Sequence, residues 1–159
     1  MKIKKKKILI LSGNLIKHKY VAIKLLKKFK KARVIFEKYP KNIFTNYSKD
    51  KSKVLIDHFK KVLFYEKKYF EKFCKKNSVF LRKKTLFNLK KGGLNSQRVF
   101  LQIKENKPDL IILNATSLIK KKLINSFKNK IINIHAGLTP YYRGAGCNVW
   151  TFYNKELEY

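Results

Sequence analysis

Ile8-Leu9-Ile10-Leu11-Ser12-Gly13-Asn14 is a run of four apolar residues closed by a turn signal. A strand with one wet face alternates apolar and polar side chains, so an unbroken apolar run predicts a strand covered on both faces, as in a parallel sheet. Working outward, residues 20–31 carry Val21, Leu25 and Phe29 at helical spacing among lysines, and residues 32–36 read as a second strand. Leu110-Ile111-Ile112-Leu113 repeats the buried pattern after Pro108-Asp109. A short helix over 118–127 and a strand over 130–134 follow. Strands alternating with helices predict an α/β fold: an open, mainly parallel, Rossmann-like sheet flanked by helices, with right-handed crossovers.

Between these segments, residues 54–74 place apolar side chains at Leu55, Phe59, Val62, Leu63, Tyr69, Phe70 and Phe73, the stripe of a long core-facing helix. Residues 77–94 are left unassigned, with Val79-Phe80-Leu81 a candidate short strand and Gly92-Gly93 a breaker. Asn95 or Ser96 can cap a helix reaching to about residue 106. Internal repeats and proline- or serine-rich linkers are absent, so residues 1–159 read as one domain.

The chain has 40 Lys and Arg against 9 Asp and Glu, a formal net charge of +31. Only Arg33, Arg82, Arg98 and Arg143 are arginines, which leaves 36 lysines spread from Lys2 to Lys155. Phosphate recognition favours the bidentate arginine fork, so the charge reads chiefly as AT-rich base composition on a solvated surface, with nucleic-acid binding a minority alternative. At 45% hydrophobic residues with 12 Phe and 9 Tyr, the chain is too apolar for a disordered polycation. The basic start before Ile8 leads into an apolar run too short for a signal peptide, and nothing approaches a membrane span. Cys74 and Cys147 form neither a CxxC pair nor a zinc-type cluster, so no metal is expected and a cytoplasmic location fits. His18 and His58 sit among lysines and read as solvated surface. Cys147 has no neighbouring His in sequence, and Trp150, Phe152 and Tyr153 read as helix-face packing.

Open α/β sheets bind ligands beyond the carboxyl ends of their strands. Three loops therefore matter: Ser12-Gly13-Asn14, Asn114-Ala115-Thr116-Ser117, and the long stretch from Asn133 to Gly144. Gly144-Ala145-Gly146 lacks the third glycine of a dinucleotide fingerprint, and no GxxxxGK[ST] occurs, so no nucleotide cofactor is indicated. Asn133 and His135 lie two apart on a strand, which places them on one side. An amide that donates to a developing oxyanion and an imidazole that moves a proton suit attack on a carbonyl.

The stretch Ile131-Ile132-Asn133-Ile134-His135-Ala136-Gly137-Leu138-Thr139-Pro140-Tyr141-Tyr142-Arg143-Gly144 closely resembles the signature of the folate-dependent formyltransferases. Gly92-Gly93-Leu94-Asn95-Ser96, Lys107-Pro108-Asp109-Leu110-Ile111 and Gly146-Cys147-Asn148-Val149-Trp150 resemble the sugar N-formyltransferase-like branch, as does Leu11-Ser12-Gly13-Asn14 through His18-Lys19-Tyr20. The resemblance implies the formyltransferase N-terminal fold. It also implies transfer of a formyl group from 10-formyltetrahydrofolate to an amine, through a tetrahedral intermediate. Asn133 would polarise the formyl oxygen and His135 would aid charge and proton transfer. Leu118, Ile119, Lys120 and Gly137 would hold the cofactor, while Ser12, Gly13, Asn14, Tyr142 and Arg143 would line the substrate side.

The expected acceptor is an amino sugar or a similar small-molecule amine; methionyl-tRNA is the alternative, and a non-catalytic basic nucleic-acid-binding protein a third reading. The family's third catalytic residue, an Asp, lies downstream of this motif. Only 24 residues follow His135, and neither Glu156 nor Glu158 stands in a matching motif. The expectation is therefore a C-terminally truncated chain with weak activity or none.

Overall fold

The structure, a computed structural model, describes residues 6–39, 53–144 and 147–156. The first lysines of the basic start, Gly146 of the glycine turn, Glu158, and the side chains of Leu55 and Phe59 lie outside the described residues. Five strands form one sheet: β1 (Ile8–Gly13), β2 (Arg33–Lys38), β3 (Thr85–Lys90), β4 (Leu110–Asn114) and β5 (Ile131–Ile134). Their order is β3-β2-β1-β4-β5 and every pairing is parallel. The order reverses between β1 and β4, where Ser12 sits opposite Asn114.

Both faces of the inner strands are covered, which is why their sequences run apolar without alternation. Ile8 and Ile10 of β1, with Val34 and Phe36 of β2, join one core under α1 (Ile16–Lys28) and α3 (Ser78–Lys84). Leu9, Leu11 and Ile35 join the other, against α4 (Gln97–Asn106) and α5 (Lys121–Ser126). The long α2 (Lys53–Lys76) packs on α1, where Tyr20 meets the rings of Phe70 and Phe73 at 4.7 and 4.9 Å. Tyr69, expected in the same stripe, is exposed. The Ser96 hydroxyl accepts from the Val99 amide and caps α4, as the sequence predicts.

The unassigned 77–94 stretch resolves into α3 followed by β3, so Val79-Phe80-Leu81 is helical and not a strand. Leu81 faces the core from that helix, while Val79 is exposed. The last helix, α6 (Cys147–Tyr153), leaves Trp150, Phe152 and Tyr153 exposed, against the expectation of helix-face packing. Among the described residues β5 is a sheet edge, with Ile132 and Ile134 exposed at 54% and 43%. None of the described helices is long and apolar enough to cross a membrane.

Candidate active site

The carboxyl ends of β1, β2 and β4 meet in a web of polar side chains. Asn114 Nδ2 donates to Ser12 Oγ at 3.0 Å and to the His18 carbonyl at 3.3 Å, joining the two strands at the order reversal. Asn14 Oδ1 accepts from the Tyr39 amide at 2.9 Å, and Tyr39 donates its hydroxyl to the Ala115 carbonyl at 3.0 Å. Ser12, expected on the substrate side, is fully buried with its hydroxyl engaged, so its side chain supports the loop instead of lining it. Gly13 is equally buried. A Cβ there would stand 2.6 Å from the Ala115 oxygen, which is why the two loops can touch only at glycine.

His18 corrects the surface reading of the lysine-rich segment. It is 8% exposed, and its Nδ1 has no hydrogen-bond partner among the described residues. Burial, helped by Lys17, lowers its pKa from 6.5 to about 4. The folded protein therefore holds His18 neutral while the unfolded chain protonates it near 6.5. This contribution, about 3 kcal/mol, is fully present above pH 6.5 and is lost as the pH falls toward 4. Urea titrations at pH 7 and pH 4.5 are expected to show a smaller acid loss in His18→Asn than in the parent protein. Equal losses would remove His18 as the cause.

Glu37 is the site residue that sequence reasoning missed. Its carboxylate, 3% exposed, accepts from the Ser117 amide at 2.7 Å and the Ser117 hydroxyl at 2.9 Å. This ties the end of β2 to the loop after β4. One of only nine acids closing the apolar Val34-Ile35-Phe36 run was the available signal. Glu37→Ala leaves the two part-buried Ser117 donors unpaired and is expected to cost about 2 kcal/mol, a fall in Tm of about 4–8 °C by thermal melting.

The expected cofactor segment is held from its other side by Asn95. Its Nδ2 donates to the Leu118 carbonyl at 2.9 Å, and its Oδ1 accepts from the Lys120 amide at 2.8 Å. Those two backbone groups are thus committed within the protein, and Ile119, buried in the core, anchors the segment. Leu118 is 87% exposed and borders a cleft of about 290 Å³ with Glu37, Tyr39, Lys91 and Ser117.

Beyond β5, Asn133 and His135 are both exposed, and the Asn133 side chain has no hydrogen bond among the described residues. His135 Nε2 lies 3.3 Å from Cys147 Sγ, so the cysteine that lacks a His nearby in sequence has one in space. Cys147 is buried, and its thiol donates to the Gly144 carbonyl at 3.3 Å. Gly137 makes that approach possible. A Cβ there would stand 2.6 Å from Cys147 Cβ and 2.7 Å from Tyr142 Cβ. Gly137→Ala is expected to cost about 1–3 kcal/mol and push α6 off the loop, visible as faster alkylation of Cys147. Tyr142 is buried too. Its hydroxyl bonds Glu156 and accepts from Asn154 at 2.9 Å, so it braces the loop, while Arg143 is exposed. Among the described residues no carboxylate bonds His135; Glu156 is turned to Tyr142.

A family model described as formyl transferase matches residues 61–156, more than half of the chain and all of the loop just described. The chain belongs to the formyl transferase family. A methionyl-tRNA formyltransferase of Finegoldia magna is 39% identical over 67 residues, which cover 42% of this chain and 22% of that relative. Those of Alkaliphilus oremlandii and Geobacter metallireducens are 39% identical over 64 residues and 38% identical over 66. These matches cover 40% and 41% of this chain, and 21% of each relative. The chain thus aligns with about a fifth of the length of these relatives. No solved structure matches. For this formyl transferase family member the named relatives carry no support for the sugar branch.

Proposed function

We propose that this chain carries formyl-transfer machinery that uses 10-formyltetrahydrofolate as donor and the amine of methionyl-tRNA as acceptor. The observation that carries the reading is the position of Asn133 and His135. They are exposed at the carboxyl end of β5, inside the segment matched to the family, beside the loop that Glu37 and Asn95 hold after β4. The methionyl-tRNA relatives favour this acceptor over the amino sugar that the motifs suggest. The charge of +31 is compatible with a polyanionic acceptor. Residues 1–159 belong to one catalytic domain in this reading.

The residues present fit a donor with a flat ring. Leu118 offers an exposed apolar side chain at the end of β4, and Leu138 another after the neighbouring β5. The donor supplies an activated formyl carbon. Leu118, Ile119 and Lys120 would hold its ring, with Gly137 closing the loop behind. Asn133 Nδ2 would donate a hydrogen bond to the formyl oxygen as negative charge grows there. His135, steadied through Nε2 by Cys147, would keep its other ring nitrogen to take a proton from the attacking amine and pass it to the donor nitrogen that leaves as the formyl C–N bond breaks. Asn14 and Arg143 would orient the acceptor.

Transfer of labelled formyl groups to methionyl-tRNA, with a UDP-linked amino sugar in parallel, tests the proposal. Product on methionyl-tRNA supports it, and product on the sugar alone reverses the acceptor. With no carboxylate bonded to His135 among the described residues, slow turnover is expected. Absence of both transfer and donor binding would reject the reading. A salt titration of tRNA binding checks the third alternative, since affinity driven by phosphate contacts alone falls steeply with salt.

A further inference from the structure

A cavity of about 730 Å³ opens on the other side of the molecule from the β5 loop, among α1, the end of α2, α3, β2 and β3. Its wall joins the apolar Ile16, Phe36 and Leu81 to the cations Lys19 and Arg82, with Cys74 between. None of the residues around it comes from the loops after β4 or β5. The volume is in the range of small-molecule sites, whose mixture of apolar wall and few polar groups it shares.

The charges around this chamber do not cancel. Lys75 on the same wall is met by Glu71 at 3.2 Å, but among the described residues neither Lys19 nor Arg82 has an acidic partner. Two uncompensated cations beside an apolar chamber complement a molecule with an apolar body and an anionic head. Cys74 Sγ reaches the Ile16 carbonyl at 3.6 Å, and burial pushes its pKa up despite Lys19. The thiol is therefore a neutral part of the wall and a slow, site-specific reporter of occupancy.

We propose that this cavity binds an amphipathic anion, an aromatic or short acyl body carrying one carboxylate, sulfonate or phosphate-type group that is met by Lys19 and Arg82. The site is independent of formyl transfer, and its test uses no activity measurement. Alkylation of Cys74 and Cys147 by iodoacetamide is followed by peptide mass spectrometry, with 1-anilinonaphthalene-8-sulfonate as the anionic probe. Uncharged N-phenyl-1-naphthylamine serves as its comparator.

At saturation the sulfonate is expected to abolish Cys74 alkylation and leave Cys147 unchanged, with little protection by the neutral amine. The double variant Lys19→Gln/Arg82→Gln is expected to raise the half-protecting concentration by about tenfold or more, the scale of charge-assisted hydrogen bonds. Leu81→Trp, which fills the chamber, is expected to remove the protection. Unprotected Cys74 would overturn the proposal, as would equal protection by the neutral amine or equal protection of both cysteines through coating of the basic surface. The neutral-probe comparison decides on the unaltered protein, even where a variant fails to fold.

Discussion

Asn133→Ala is expected to lower formyl transfer by about 10²–10³-fold with little change in donor affinity, the usual cost of one lost oxyanion donor. The reason is geometric. The side chain is exposed at the end of β5 and makes no hydrogen bond among the described residues, so its removal breaks none of the bonds seen to hold the fold. Its amide can bond an oxygen more strongly as charge develops, which lowers the barrier more than it tightens binding. Single-turnover transfer of labelled formyl groups, measured alongside donor binding, separates the two effects. A rate within about threefold of the parent would remove Asn133 from the proposed chemistry, since one oxyanion donor is worth far more. Asn133→Asp, which replaces the donor with a like charge, should be no better than alanine.

Gly13→Ala should damage the scaffold severely. The added Cβ would meet the Ala115 oxygen at 2.6 Å, His18 Nδ1 at 2.6 Å and Tyr39 Cε2 at 2.7 Å. These belong to the loop after β4, to α1 and to the end of β2, and none of the three can move alone. Ala115 accepts from Tyr39, Tyr39 is tied to Asn14, and His18 is packed in the interior. Overpacking at such a junction costs about 3 kcal/mol, which lowers Tm by about 6–12 °C for a chain of this size. Differential scanning calorimetry gives the measurement. Gly92→Ala is the matched control: with φ of 83° and open space around it, only backbone strain of about 1–2 kcal/mol is expected. Equal losses in the two variants would mean that crowding at Gly13 is relieved without cost.

Legibility in the sequence followed burial. β1 and β4 were plain because both faces are covered, so a continuous apolar run had one sensible reading. β3 is not legible because Thr-Leu-Phe-Asn-Leu-Lys is a half-buried edge strand directly after a helix, and no turn residue marks the junction. In the same stretch the apolar Val79-Phe80-Leu81 was too short to show whether its period was two or 3.6. At the site, the motif located Asn133, His135 and the surrounding loop. It did not separate residues that face outward from Ser12 and Tyr142, whose hydroxyls brace the structure.

By itself the sequence determined the parallel α/β sheet, the loops at its carboxyl edge and the likeness of one of them to the formyltransferases, because periodicity and motif are local properties of the chain. Only the tertiary structure decided that His18 is buried, that Glu37 and Asn95 hold the loop after β4, and that Cys147 lies against His135. Glu37 reaches Ser117 across 80 residues, and Asn95 reaches Lys120 across 25. Such contacts form where the sheet order brings separate strand ends together, and no local pattern in the chain encodes which ends will meet.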